Sequence, residues 1–139
     1  MSTSTFPYLK GVYNITPTPF QPDGSLDLPS LARLTEATIA AGVDGMTILG
    51  VMGEASKVTD AEREQIIATV IETAAGRIPI CVGTTHAATD PCVTYSRQAQ
   101  AMGAQALMVA PPRLARSTDA ALRRHYLAVA EAVDIPVVV

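Results

Sequence analysis

The sequence has 139 residues, of which 48% are hydrophobic, 17% are charged and 4% are aromatic, and its formal net charge is −3. This length fits one domain, residues 1–139, whose core must be built from aliphatic side chains. The acidic balance argues against nucleic-acid binding through a basic surface, and no apolar run approaches the ~18 residues of a membrane-spanning helix.

The amino-terminal residues and the cysteines bear on where the protein works. Residues 1–5 contain no basic segment followed by an apolar run, which is the pattern of a secretory signal peptide. Cys81 lies in an apolar segment, and Cys92 has no partner at metal-ligand spacing. We therefore expect a reduced, cytoplasmic protein that needs no metal and no cofactor, and that binds neither nucleic acid nor a membrane.

Short apolar segments alternate with amphipathic segments along the chain. The predicted strands are residues 11–16, 45–50, 79–84, 104–110 and 135–139. The predicted helices are residues 28–41, 59–76, 89–103 and 117–134. After the first helix the strand centres lie roughly 30 residues apart, which is the length of one βα unit, so a parallel sheet is expected.

The second helix has the clearest boundaries. Thr59 and Glu62 form a capping box, in which each side chain accepts a hydrogen bond from a backbone amide that the helix leaves unpaired. Gly76 is expected to end the helix. The residues of its predicted apolar stripe are Ile66, Ile67, Val70, Ile71 and Ala74. In the fourth helix, Tyr126 is expected to pack with its hydroxyl hydrogen-bonded.

Two α/β architectures fit this order of elements. One is a complete five-stranded doubly wound domain. The other is the first half of a (β/α)₈ TIM barrel, supplying four βα units and the fifth strand of a fold that needs about 250 residues. The chain ends inside the apolar segment 135–139, without a turn or a polar tail, and this favours a barrel truncated at its fifth strand.

The carboxyl ends of the strands are where either architecture binds ligands. The candidate substrate-binding residues at these ends are Thr16, Gly50, Val51, Met52, Gly53, Glu54, Thr84, His86 and Arg113. Gly50 and Gly53 allow a tight turn that exposes successive amides to a carboxylate. Glu54 either ties this loop down as a buried acid or is a surface charge. Arg113 has the geometry to bind a second carboxylate of a diacid.

Several motifs occur together in one order across essentially the whole chain. They include Thr16-Pro17-Thr18-Pro19-Phe20, Ala41-Gly42-Val43-Asp44-Gly45, Leu49-Gly50-Val51-Met52-Gly53-Glu54, Thr59-Asp60-Ala61-Glu62-Arg63, Gly76-Arg77-Ile78-Pro79-Ile80 and Asp134-Ile135-Pro136. In these motifs the chain resembles the amino-terminal half of the dihydrodipicolinate synthase / N-acetylneuraminate lyase family of class I aldolases and dehydratases.

The resemblance implies a fold, a chemistry and an assembly. It implies a (β/α)₈ barrel that is usually a homotetramer, so a homo-oligomer is expected. A lysine on the sixth strand of such enzymes forms a Schiff base with a 2-oxo acid such as pyruvate, and a tyrosine near the end of the fifth strand relays protons. The two residues inside the Gly-x-x-Gly-Glu loop, here Val51 and Met52, correspond to those that bind the substrate carboxylate.

The sequence departs from the family pattern at three places. Val51 and Met52 stand where the family usually carries hydroxyls. Pro112-Arg113-Leu114 stands where the family has Pro-Tyr-Tyr, so the tyrosine that reaches across a subunit interface in its synthases is missing. Both changes weigh against dihydrodipicolinate synthesis and favour another aldolase or a dehydratase. The lysines, Lys10 and Lys57, match no sixth-strand position, so the Schiff-base lysine and the relay tyrosine are expected beyond Val139.

Two other functions stay open beside the lyase. A non-catalytic half-barrel would serve as a binding or assembly module, and its open strand edges would have to be covered by association. A complete flavodoxin-like domain would need a phosphate-binding loop after the first strand, where Pro17 and Pro19 leave few free amides.

Overall fold

The computed structural model describes residues 8–112 and 118–139 as a five-stranded sheet with four helices. The strands are β1 (Tyr13–Ile15), β2 (Gly45–Ile48), β3 (Ile80–Gly83), β4 (Ala106–Met108) and β5 (Val137–Val138). The helices are α1 (Leu28–Ala40), α2 (Asp60–Ala74), α3 (Thr89–Ala101) and α4 (Asp119–Ala130). Every predicted element is present, and the strands are shorter than predicted. At β2 the cause is Leu49, whose φ of 55° turns the chain out of the sheet.

The strand order decides between the two predicted architectures. All neighbouring strands are parallel, and the order is β1-β2-β3-β4-β5 without a reversal. A doubly wound domain needs a point at which the order reverses, so the flavodoxin-like alternative is wrong. With right-handed crossovers, an unreversed order places all the connecting helices on the same face of the sheet. The fold is the first half of a (β/α)₈ barrel, as predicted.

The two faces of the sheet have different surroundings. On the outer face, Met46, Ile48 and Val82 belong to a buried cluster with Leu31 of α1 and Ile67 of α2, which holds the helices against the sheet. The inner face bears the alternate residues, and none of the four described helices covers it. A cavity of about 220 Å³ lies there. Its lining includes Tyr13, Ile15, Thr47, Cys81, Met108 and Val138.

Helix ends follow the local sequence closely. The predicted capping box is confirmed, since the Thr59 side chain accepts from the Glu62 amide and the Glu62 carboxylate accepts from the Thr59 amide at 2.8 Å. Helix α2 ends at Ala74, two residues before its predicted glycine, because Ala75 already takes a left-handed conformation at φ 48° before Gly76 follows at φ 73°. At α4 the cap is Thr118, whose side chain accepts from the Ala121 amide.

One side-chain prediction in α4 finds no support among the described residues. The Tyr126 hydroxyl is buried and has no hydrogen-bond partner within residues 8–112 and 118–139, and the same holds for Nε2 of the neighbouring His125. The two rings pack edge to face, with centroids 5.6 Å apart. Packing therefore decides the position of the tyrosine, and its hydroxyl remains unpaired within that part of the chain. None of the helices described is long and apolar enough to cross a membrane.

Candidate substrate-binding site

A loop of residues 49–58 follows β2 at the carboxyl-terminal edge of the sheet. Left-handed residues mark its first turn, with φ 55° at Leu49 and φ 54° at Glu54. A Cβ atom on Gly53 would lie 2.9 Å from the Leu49 amide nitrogen, so the turn folds back on itself closely enough to require glycine. A Cβ on Gly83 would lie 2.1 Å from the Leu49 carbonyl oxygen. The start of the loop therefore leans over the end of β3, on the inner face.

The carbonyl groups of this loop are held by the protein. The Gly53 carbonyl accepts from the Thr18 hydroxyl at 2.7 Å, and the Val51 carbonyl accepts from the Glu54 amide at 3.1 Å. The Gly50 carbonyl accepts from the Ala55 amide at 3.5 Å. These bonds hold the carbonyl groups of Gly50, Val51 and Gly53.

The amide groups of the same residues have no such partners. Within the described chain, the amides of Gly50, Val51, Met52 and Gly53 donate to no backbone or side-chain acceptor. A tight turn with successive free N–H groups is a suitable nest for an anion. The side chains of Val51 and Met52 are 88% and 60% exposed and carry no hydrogen-bonding group. Any polar recognition by these two residues must come from their backbone.

Two roles are predicted for Glu54, a buried acid that ties the loop down or a surface charge. The structure shows the surface charge. The Glu54 carboxylate lies 2.6 Å from Nζ of Lys57, three residues along the chain, and both side chains are substantially exposed. An exposed pair of this kind contributes about 0–1 kcal/mol. The prediction that Glu54 belongs to the loop is correct, but its side chain points to Lys57 and does not enter the core.

Thr16 and Thr84 lie at strand ends, as predicted, but their hydroxyls face the helix side of the sheet. Thr84 Oγ lies 2.9 Å from the Ser96 hydroxyl of α3, and Thr16 Oγ donates to the Asn14 side chain at 2.9 Å. Both threonines are at most 1% exposed. They follow the outer-face residues in the two-residue alternation of their strands. Neither hydroxyl is therefore free to line the inner-face pocket, contrary to the expectation for these side chains.

His86 is held at the start of α3. Its Nδ1 accepts from the Ala88 amide at 3.0 Å, and its ring packs edge-on against Tyr95 with centroids 6.0 Å apart. These contacts direct one ring nitrogen into the local turn and hold the ring against α3. Arg113, the remaining predicted site residue, lies outside the described residues.

Arg63 is a residue that the sequence reasoning quoted as part of a motif but gave no role. Its guanidinium group is almost fully buried at the end of the loop, where Nη1 donates to the Gly83 carbonyl at 3.0 Å and Nη2 donates to the Ala55 carbonyl at 3.4 Å. Burial lowers the pKa of Arg63, and the nearby Tyr95 and Asp60 oppose that shift. A signal was available, because Arg63 lies three and four residues before Ile66 and Ile67 and so continues the buried stripe of α2.

The inner face supplies few reactive groups in the part of the chain that the structure describes. Burial raises the pKa of Cys81 to about 11, against a smaller opposite effect of its hydrogen bond to Thr47, so the thiol is protonated at neutral pH. Lys10 precedes β1 at the opposite edge of the sheet from the loop, and Lys57 is paired with Glu54. Neither lysine lies on a strand. Among the described residues, the arrangement offers amides that can bind and orient an anion, and its lysines lie outside the strands.

Comparison with known proteins assigns nearly all of the chain to one family. The model of the dihydrodipicolinate synthetase family matches residues 8–139. The 4-hydroxy-tetrahydrodipicolinate synthase of Methylococcus capsulatus is 44% identical, over 86% of this chain and 41% of its own. The L-2-keto-3-deoxyarabonate dehydratase of Azospirillum brasilense is 37% identical, over 100% of this chain and 46% of its own.

The solved structures agree in fold. The chloride-inhibited dihydrodipicolinate synthase of Acinetobacter baumannii, complexed with pyruvate, superposes with a TM-score of 0.89 at 34% identity. The match covers 92% of this chain and 44% of that one, so the chain spans less than half the length of the relatives it matches. Because the family model matches nearly all of the chain and the half-barrel fold agrees with it, the chain belongs to the dihydrodipicolinate synthetase family.

Proposed function

We propose that this chain forms the carboxylate-binding part of the active site of a lyase that acts on pyruvate or another 2-oxo acid. The observation that carries the proposal is the row of unpaired amides from Gly50 to Gly53, whose carbonyls are held in place by Thr18 and by the turn itself. Fixed amide dipoles that need no rearrangement are well suited to hold a carboxylate. A relative of similar fold is described as complexed with pyruvate, which supports the choice of ligand.

The bond-making chemistry is proposed for a longer protein of which this chain is the amino-terminal part. As the family resemblance implies, a lysine amine would condense with the 2-oxo group, releasing water and forming a protonated imine. The imine accepts the electron pair of an adjacent C–C or C–O bond when that bond breaks. In that reaction the loop amides would hold the carboxylate and so fix the carbonyl carbon relative to the lysine.

The reaction type is proposed from the exposed side chains of the loop. Val51 and Met52 offer no hydroxyl through which a proton could pass, so we propose an aldolase or a dehydratase and not dihydrodipicolinate synthesis. The family relatives include both a synthase and a dehydratase, so both chemistries occur on this fold. Turnover of pyruvate with aspartate semialdehyde by the longer protein would contradict this choice.

A titration followed by NMR tests the carboxylate site directly. Pyruvate added to the ¹⁵N-labelled protein is expected to shift the amide resonances of residues 50–53. Pyruvamide, which keeps the 2-oxo group but lacks the carboxylate, is expected to leave them in place. Equal shifts with the two compounds, or shifts confined to other residues, would remove the loop from the binding site.

Two glycine substitutions sharpen the same test. Gly53→Ala places a Cβ 2.9 Å from a backbone nitrogen, whereas Gly50→Ala meets only a side-chain methyl of Ile15 at 3.8 Å. Because only the first change must displace the turn, Gly53→Ala is expected to weaken pyruvate binding more than Gly50→Ala. A larger loss from Gly50→Ala would contradict the loop geometry.

A binding or assembly module is the second candidate, favoured by the uncovered inner face and by the unpaired edges of β1 and β5. The intact mass of the isolated protein separates the two. A mass near 14.6 kDa with self-association supports the module. A mass of roughly twice that, as a barrel of about 250 residues requires, supports the lyase. For that longer protein we propose a cytoplasmic homo-oligomer, and borohydride with pyruvate should leave a covalent adduct on it.

A further inference from the structure

The side chain of Arg63 is a buried cation that forms no ion pair with a carboxylate among the described residues. It is 5% exposed, and the ion pairs of the described chain are Lys57–Glu54 and Arg77–Glu36. Its guanidinium carbon lies 4.4 Å from the centre of the Tyr95 ring, a distance at which the ring face stabilises a cation. The Tyr95 hydroxyl in turn donates to the Asp60 carboxylate at 2.7 Å. An aromatic face and backbone carbonyls therefore compensate the burial of the charge.

The hydrogen bonds of Arg63 join two segments that do not otherwise share a side-chain bond. One nitrogen binds the carbonyl of Gly83, the last residue of β3, and another binds the carbonyl of Ala55, just after the row of free amides. The Leu49 carbonyl lies against Gly83 on the other side of the same junction. The loop is thus fixed to β3 both where it begins and where the amide row ends.

We infer that Arg63 is a positioning residue, which holds the amides of residues 50–53 in the conformation that binds a substrate carboxylate. This inference rests on the proposed function of the loop. Arg63 does not touch the ligand site itself, because its donors are directed to Gly83 and Ala55. Its planar fork can span two carbonyls in fixed directions, which a lysine ammonium on a flexible stem does less well.

Substitutions of Arg63 test this role when binding and loop order are measured separately. Arg63→Met keeps the apolar length and removes both hydrogen bonds, while Arg63→Lys keeps the charge and reaches fewer acceptors. Arg77→Met is the matched control, since Arg77 is exposed and binds Glu36 and the carboxyl end of α2. Pyruvate affinity comes from the loop amide shifts, and loop order comes from hydrogen exchange of residues 50–55 without ligand.

Arg63→Met is expected to weaken pyruvate binding by about tenfold or more, since it removes two hydrogen bonds and the loss of one buried bond is worth about that much. Exchange in the loop should be faster, Arg63→Lys should lie between this variant and the parent, and Arg77→Met should match the parent. Unchanged affinity and exchange in Arg63→Met would overturn the inference. A parent protein that does not bind pyruvate would overturn the proposed function, and the exchange rates would still decide whether Arg63 holds the loop.

If Arg63→Met fails to give a folded spectrum, Tyr95→Leu provides the second test. It removes the ring face over the guanidinium and leaves both carbonyl bonds possible. Faster loop exchange with weaker pyruvate binding supports the inference. A Tyr95→Leu protein with the affinity and loop exchange of the parent would show that the ring face is not needed to hold Arg63 in place. Arg63→Lys then decides the inference, and parent values in that variant as well would overturn it.

Discussion

The two ends of the sheet use glycine for opposite purposes. At the amino-terminal edge, Gly45 makes room for a side chain, since a Cβ there would lie 2.3 Å from the Tyr13 ring. Gly11 likewise faces the Asp44 carboxylate, which accepts from the Val12 amide at 2.7 Å. At the carboxyl-terminal edge, Gly53 and Gly83 make room for the backbone of the loop.

The difference separates a stabilising end from the end at which we propose that the substrate binds. At the amino-terminal edge the side chain of Asp44 pairs a backbone donor, as in the Val12 bond. At the carboxyl-terminal edge, side chains bind backbone carbonyls through Thr18 and Arg63, and the amides of the loop remain available. This division follows the general rule for barrels, in which function lies at the carboxyl ends of the strands.

The largest effect is expected where the loop crosses β3. Gly83→Ala would place a methyl group 2.1 Å from the Leu49 carbonyl oxygen, so either the loop or the strand must move. We expect a loss of about 3 kcal/mol in the free energy of unfolding, the upper range for an overpacked site. Pyruvate binding should be lost as well. Chemical denaturation and the NMR titration measure the two effects, and a stable variant that still binds would contradict the close contact.

An intermediate effect is expected at the cap that follows the loop. Thr59→Ala removes a helix cap and should lower the free energy of unfolding by about 1 kcal/mol. Thr118→Ala removes the comparable cap of α4 and serves as the control. Only Thr59→Ala should alter the amide shifts of residues 50–54, because only that cap adjoins the loop. Identical spectra for the two variants in this region would contradict that link.

The same cap gives a prediction about pH. Hydrogen bonds from the Thr59 amide and hydroxyl lower the pKa of Glu62. A carboxyl group with a lowered pKa contributes stability above its unfolded value of about 4.3, and that contribution is lost as the pH falls through the lowered pKa. The difference in unfolding free energy between the parent and Glu62→Gln should therefore be constant near neutrality and shrink in acid. A difference that grows in acid would contradict the assigned bonds.

The smallest effect is expected at the amino-terminal edge. Asp44→Ala removes the acceptor of the Val12 amide, but Val12 is 65% exposed and water can replace the carboxylate. We expect a loss below about 1 kcal/mol and no change in pyruvate affinity. Weakened pyruvate binding in this variant would show that the two edges are coupled and would end the distinction drawn between them.

What the sequence predicts correctly is mostly local. The capping box of α2 and the boundaries of the helices depend on residues a few positions apart, and the motifs around Gly50 and Gly53 identify the loop. The side chains of Thr16 and Thr84 were misjudged because a position at a strand end does not say which face the side chain takes. The alternation with Ile15 and Cys81, both on the inner face, contained that information.

The hydrogen bonds of the loop backbone could not be predicted in the same way. Which backbone groups remain free depends on Thr18 and Arg63, which reach the loop from other elements at separations that no local pattern encodes. Arg63 itself was within reach of prediction, since an arginine in phase with a buried stripe must find acceptors. The acceptors it finds, two backbone carbonyls, become visible only when the strands are in register.

The backbone amides proposed to bind the carboxylate leave the side chains of the same loop residues open to change. The amides of Val51 and Met52 are independent of the side chains attached to them, and those side chains extend from the turn with little contact to the rest of the described chain. Under the function proposed above, substitution at these two positions would change the group beside the substrate while the amides that hold its carboxylate stay in place. The loop would then separate the contact with the carboxylate, which 2-oxo acids share, from the contact with the part of the substrate that differs among them.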